Sequence, residues 1–120
     1  MGSTVELSLN GQSNRLPASL CRDIYHIVRE ALVNAARHGS ASLARVTVGP
    51  TGADAITVSI ADNGRGFPFT GRYSAEELAE RSLGPRNLRE RVRAMNGSMV
   101  LESSSEGAAL NVIVPLGATV

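Results

Sequence analysis

The chain is predicted to fold as an α+β two-layer sandwich, one mixed, mostly antiparallel sheet covered on one face by helices. Three observations predict it. Two stretches place apolar residues at three- and four-residue spacing, five short stretches read as strands from alternation or a short apolar run, and glycine-rich turns separate them.

Val5, Leu7 and Leu9 alternate with polar residues, and Asn10-Gly11 ends this first strand with turn chemistry. Leu16-Pro17 leads into a long helix in which Ile24, Ile27, Val28, Ala31, Leu32 and Ala35 form one apolar face and Gly39 is the stop. Val46 and Val48, then Ile56, Val58 and Ile60, predict a hairpin with Gly49-Pro50-Thr51-Gly52 as its connection. From Asp62 to Pro85 the patterning gives way to Gly, Pro and Ser, with one short helical piece where Ser74 and Glu77 have capping-box spacing. A weakly patterned connection of that length is usually functional or disordered. Pro85 then opens a second amphipathic helix through Leu88, Val92 and Met95, closed by Asn96-Gly97. Met99 to Glu102 and Leu110 to Pro115 complete the sheet.

With 120 residues, 42% hydrophobic and 19% charged, the chain has the balance of one globular domain. Residues 4–120 are expected to form it, and Met1-Gly2-Ser3 reads as a cloning scar. No apolar run approaches the ~20 residues needed to cross a bilayer, so a cytoplasmic domain without membrane contact of its own is expected. The single Cys21 excludes an internal disulfide and a cysteine-based zinc cluster. All 12 basic residues are arginines, set against 11 acidic ones, so a net charge of +1 selects no polyanion. Five arginines nonetheless crowd between Arg81 and Arg93, either a site for phosphates or an acidic protein, or a solvated helix face.

Glu30, Asn34 and His38 recur every four residues on the first helix, and Arg37 falls in the same stripe. Oxygen ligands suit a hard magnesium ion and nitrogen donors suit phosphate oxygens, although an ordinary polar helix face has the same spacing. His26 lies twelve residues from His38, about 18 Å along a helix, so the two cannot share an ion. Asp62-Asn63-Gly64-Arg65-Gly66-Phe67 follows an alternating strand. It can be a hairpin turn, but Phe67 to Gly71 does not resume the alternation. Alternatively, the glycines admit a flat ligand while the carboxylate accepts from an exocyclic amine. Leu83-Gly84-Pro85 precedes the second helix, where free backbone N–H groups and the helix dipole can meet an anion.

Taken in order, Glu30-x-x-x-Asn34-x-x-Arg37-His38, Asp62-x-Gly64-x-Gly66-Phe67, and Leu83-Gly84 before Asn87-Leu88-Arg89-Glu90-Arg91 resemble the N, G1 and G2 boxes of sensor histidine kinase ATPase domains. The resemblance runs from about Leu16 to Leu116. It is most similar to the subfamily that serves LuxR/NarL-type response regulators, through Arg29-Glu30-Ala31-Leu32-x-Asn34 and Leu88-Arg89-Glu90-Arg91-Val92. It implies the Bergerat fold, with about three helices, a flexible ATP lid at roughly residues 68–83, and ATP and Mg2+ as cofactors. By position, Asn34 would hold magnesium, Arg37 and His38 would lie near the phosphates, and Glu30 would orient or activate groups around the γ-phosphate. Asp62 would receive the adenine amine, Gly64 and Gly66 would free the lid, and Leu83 and Gly84 would offer backbone to the phosphates. The implied partner is a dimerisation domain carrying the phospho-accepting histidine, in a parent protein compatible with a membrane anchor; no nucleic acid is implied. The fragment is expected to bind ATP without autophosphorylating.

Three positions differ from the family's usual residues. Ser82 stands for a glycine, Pro85 for an aliphatic residue, and Ala108 for a threonine after Gly107. Pro85 lacks an N–H and fixes its own φ, which implies fewer donors to phosphate. Two other functions fit parts of the pattern. An anti-sigma-factor-type serine kinase of the same superfamily would keep the fold and the ATP site. A non-catalytic interaction or nucleic-acid module would use the arginine patch, but at 3% aromatics it would have little to stack on bases.

Overall fold

The computed structural model describes residues 4–9, 18–38, 41–52 and 54–115. The predicted Asn10-Gly11 turn, the Leu16-Pro17 lead and the Gly39 stop lie outside them. Six strands, β1 (Thr4–Leu9), β2 (Leu43–Thr51), β3 (Ala55–Asp62), β4 (Gly71–Ser74), β5 (Ser98–Ser104) and β6 (Gly107–Pro115), form one sheet in the order β1-β2-β3-β6-β5-β4. Three helices, α1 (Ala18–His38), α2 (Ala75–Glu80) and α3 (Arg86–Ala94), pack against it. All neighbouring strands are antiparallel except β1 and β2, which are joined through α1 as a parallel pair must be. The predicted mixed, mostly antiparallel sandwich is the architecture found.

Alternation decides which face is covered. Ile56, Val58 and Ile60 of β3, Leu110, Val112 and Val114 of β6, and Met99 and Leu101 of β5 are buried on the helix side. Against them lie Ile24 and Ile27 of α1, Leu78 of α2, and Leu88 and Val92 of α3. The opposite face is mixed, with Thr57, Ser59 and Asn111 beside an exposed Ile113, and there Ser59 Oγ donates to its cross-strand partner Asn111 Oδ1 at 2.7 Å.

Two stretches depart from the sequence expectation. The β2–β3 connection is shorter than Gly49 to Gly52, because β2 runs on to Thr51 and Pro50 pairs with Ile56. The β1 register ends at Val48, so beyond it β2 has a described neighbour on one side only, where proline is tolerated. The segment after Asp62 is also more regular than its composition announces. β4 pairs with β5 at the sheet edge, and the Ser74 capping box is present. In it Glu77 N–H donates to Ser74 Oγ at 3.2 Å and Ser74 N–H donates to Glu77 Oε1 at 2.8 Å. At four residues with glycine first, β4 is too short to show a period.

Candidate functional site

The site is organised around the end of β3. There Asp62 lies between Ala44 of β2 and Ala108 of β6, because β6 begins at Gly107 and not at Leu110. Gly64 N–H donates to Asp62 Oδ1 at 2.8 Å and orients the carboxylate, which can take a second donor at Oδ2. Beyond it the chain turns under the β5–β6 connection. Gly66 has φ +75°, and a Cβ there would fall on the Ser104 carbonyl oxygen and 2.7 Å from Ser103 Oγ. Phe67 N–H donates to Ser103 Oγ at 2.8 Å, and Ser103 is buried. The close approach that Gly66 permits is therefore to the protein's own β5 end. Gly64 is itself buried.

A narrow cleft lies between α1 and the sheet. Ala31, Asn34 and Ala35 of α1 form one wall, and Ile60, Leu101, Ala108 and Leu110 form the floor. Gly66, Phe67 and Leu88 of α3 close the remaining side, and Asp62 lies at the strand end. An apolar slot with one carboxylate and one carboxamide suits a flat heteroaromatic ring bearing an amine. Phe67 continues into an aromatic row, stacked on Phe69 at 5.4 Å, which meets Tyr73 edge-on at 5.6 Å. The Arg81 guanidinium lies 5.5 Å from the Tyr73 ring centre.

The expected site residues divide. Asn34, Asp62 and Gly66 share the cleft. Glu30, one turn before Asn34, lines a separate groove between α1 and α3 with Asp23, Asn87, Glu90 and Arg91. Leu88 faces the cleft while Asn87 and Arg91 line the groove, so α3 divides the two spaces. Leu83 is half-buried against the core, and exposed Gly84 precedes Pro85, the α3 N-cap, which makes no side-chain capping bond. Neither Leu83 nor Gly84 lines the cleft. Arg37 and His38 complete the α1 backbone, but their side chains lie outside the described residues. His26 is half-buried and meets Tyr25 edge-on at 5.4 Å, away from the cleft. Among the described residues no three His, Cys, Asp or Glu side chains are grouped to hold a metal.

Sequence reasoning missed Asn63 and Ser103. The first was absorbed into an Asn-Gly turn signal. The second continues the inward alternation of Met99 and Leu101, so a polar residue at a core position was the available clue.

The chain resembles known proteins along nearly its whole length. Residues 21–118 match the family described as histidine kinase-, DNA gyrase B- and HSP90-like ATPase. Over 116 residues, 96% of this chain, it is 29% identical to the signal transduction histidine-protein kinase/phosphatase DegS of Brevibacillus brevis, covering 28% of that protein. It is 31% identical over 119 residues to the sensor histidine kinase MctS of Rhizobium johnstonii, covering 98% of this chain and 24% of that one. The chain thus spans about a quarter of the length of these curated relatives. Among solved structures, the ATP-binding domain of PrrB from Mycobacterium tuberculosis is 26% identical with TM-score 0.61, covering 95% of this chain and 82% of that one. A blue-light activated histidine kinase of Erythrobacter litoralis shares the fold, with TM-score 0.70 at 20% identity, covering 97% of this chain and 36% of that one. The match over residues 21–118 takes in the strand-end carboxylate, the α1 wall and the cleft between them, and the chain belongs to the histidine kinase-, DNA gyrase B- and HSP90-like ATPase family.

Proposed function

We propose that the cleft binds ATP with the adenine amine on Asp62, and that in the whole protein the domain presents the γ-phosphoryl to a histidine on a dimerisation domain. The observation that carries this reading is Asp62 itself, a carboxylate oriented by Gly64 N–H at the end of an otherwise apolar slot. The relatives named as histidine kinases support the chemistry. The apolar floor takes the faces of the base, Asp62 reads its edge, and the triphosphate leaves toward the α1 C-terminal turns and the start of α3. There Asn34, Arg37, His38, Leu83 and Gly84 are assigned to the phosphate end.

Magnesium fits this donor set. Asn34 offers one amide oxygen at the cleft wall, and magnesium keeps most of its shell as water and phosphate oxygens. Bound there, it would neutralise charge on the phosphates. Glu30 is assigned to the γ-phosphate region from the groove side. Catalysis of this kind rests on positioning and electrostatics, and the nucleophile belongs to the absent domain. The Arg29-Glu30-Ala31-Leu32 and Leu88-Arg89-Glu90-Arg91-Val92 segments support a LuxR/NarL-type response regulator as the downstream partner. A cytoplasmic placement of this domain follows from the proposed use of ATP; no helix among the described residues is long and apolar enough to cross a membrane.

A fluorescent-nucleotide titration tests the reading. Asp62→Asn replaces a charged acceptor by a neutral one and is expected to weaken ATP binding roughly 10-fold. Saturable binding unchanged by the substitution would remove Asp62 from its role.

A further inference from the structure

Asn63 adjoins the strand-end carboxylate but does not line the cleft, and its bonds point the other way, toward the entry of β2. Asn63 Oδ1 accepts from both Ser42 N–H and Leu43 N–H at 3.0 Å, and Asn63 Nδ2 donates to Ser42 Oγ at 3.0 Å. Its own N–H donates to the Leu43 carbonyl at 3.1 Å, one step beyond the last β2–β3 pair, Ala44 with Asp62. Four hydrogen bonds thus join one residue to a segment twenty positions earlier, all from an exposed side chain or from backbone. The same segment is held at its other end by α1, because Ala41 N–H donates to the Ala35 carbonyl at 3.1 Å. Ala35 and Asn34 form a cleft wall.

From this we infer that Asn63 is a positioning residue for adenine recognition. It fixes the peptide after Asp62, and with it the direction of the carboxylate, relative to the α1 turn that carries Asn34. The inference rests on the proposed reading of Asp62 as acceptor of the adenine amine. Two different restraints act on that carboxylate. Gly64 N–H sets its rotation at 2.8 Å, while the Asn63 bonds set the backbone from which it projects. Ser42 and Leu43 N–H would otherwise be left to water. An amide side chain with its oxygen between them satisfies both with a single rotamer. Asn63 is exposed, so truncating it removes the three side-chain bonds, leaving the backbone bond to Leu43, without opening a cavity in the core.

The discriminating measurement is a ratio of affinities. ATP and purine riboside triphosphate, which lacks the exocyclic amine, compete against a fluorescent nucleotide on the 120-residue chain and its variants. The native chain is expected to prefer ATP by roughly 10-fold or more, the size of a hydrogen bond to a charged acceptor. Asn63→Ala is expected to lose most of that preference, chiefly through weaker ATP binding. Asn63→Asp keeps an acceptor for both amides and is expected to restore most of it. Asn63→Ser, a smaller perturbation, falls between and decides the matter if the alanine variant does not fold. A native ratio near one would overturn the underlying assignment of Asp62. A native preference retained in Asn63→Ala and Asn63→Ser, or an equal loss of affinity for both nucleotides, would leave that assignment standing and overturn the positioning role. A ratio for Asn63→Asp as low as for alanine would overturn it as well.

Discussion

Gly66 and Gly52 share a left-handed backbone, with φ +75° and +70°, but their surroundings differ completely. A Cβ at Gly52 would meet nothing within 4 Å, whereas one at Gly66 would press on the Ser104 carbonyl and Ser103 Oγ. Gly52→Ala is therefore expected to cost only the backbone penalty, about 1–2 kcal/mol. Gly66→Ala adds overpacking of about 1–3 kcal/mol and should displace Phe67 from the cleft. Urea unfolding of the two variants checks this, and equal losses would show that Gly66 is not tightly enclosed. Gly107 has the same logic from the facing strand β6, since its Cβ would overlap the Asp62 carbonyl oxygen. The Asp-x-Gly-x-Gly spacing was legible in the sequence. Its partner was not, because the atoms that exclude a side chain at Gly66 come from 38 residues further along, at Ser104.

Helices α2 and α3 end in the same way. Leu83 N–H donates to the Leu78 carbonyl at 2.9 Å and Ser82 N–H to the Ala79 carbonyl at 3.2 Å. After α3, Gly97 N–H donates to the Val92 carbonyl at 3.0 Å and Asn96 N–H to the Arg93 carbonyl at 2.9 Å. Both are Schellman motifs, with Ser82 at φ 54° and Asn96 at φ 57° in the left-handed position. Asparagine tolerates that conformation better than serine does. Ser82 thus occupies, at some cost, a site whose geometry suits the glycine usual in the resembling family. Ser82→Gly is expected to stabilise the chain by about 0.5–1 kcal/mol, the relieved backbone penalty less the added freedom of the unfolded glycine. Thermal unfolding measures it, and a lower melting temperature would contradict the capping argument. The Ser74–Glu77 box that starts α2 was readable as a local pattern. β4 was not, since an edge strand of four residues exists only because β5 offers it a partner.

At the scale of the whole molecule, the chain covers about a quarter of its curated relatives, and the proposed reaction needs a nucleophile from outside it. The isolated domain is expected to bind ATP and to form no phosphohistidine. Its two histidines, His26 and His38, are both on α1, and His26 sits against Tyr25 away from the cleft. Incubation with γ-labelled ATP followed by detection of acid-labile, base-stable label checks this, and incorporation by the isolated chain would contradict it. Apolar runs and periods alone determined five of the six strands, the two amphipathic helices and the covered face, because burial imposes period 2 on strands and near 3.6 on helices along each segment. The residue types at the strand end and on α1 likewise mark Asp62 and Asn34 in the sequence. Only the tertiary structure decided that Glu30 and Asn34, one turn apart, open into different spaces on either side of α3. It alone brought Ala108 beside Asp62 and tied Asn63 to Ser42 and Leu43. Periodicity is written locally, whereas strand register and the packing of α3 against α1 depend on residues distant in the chain.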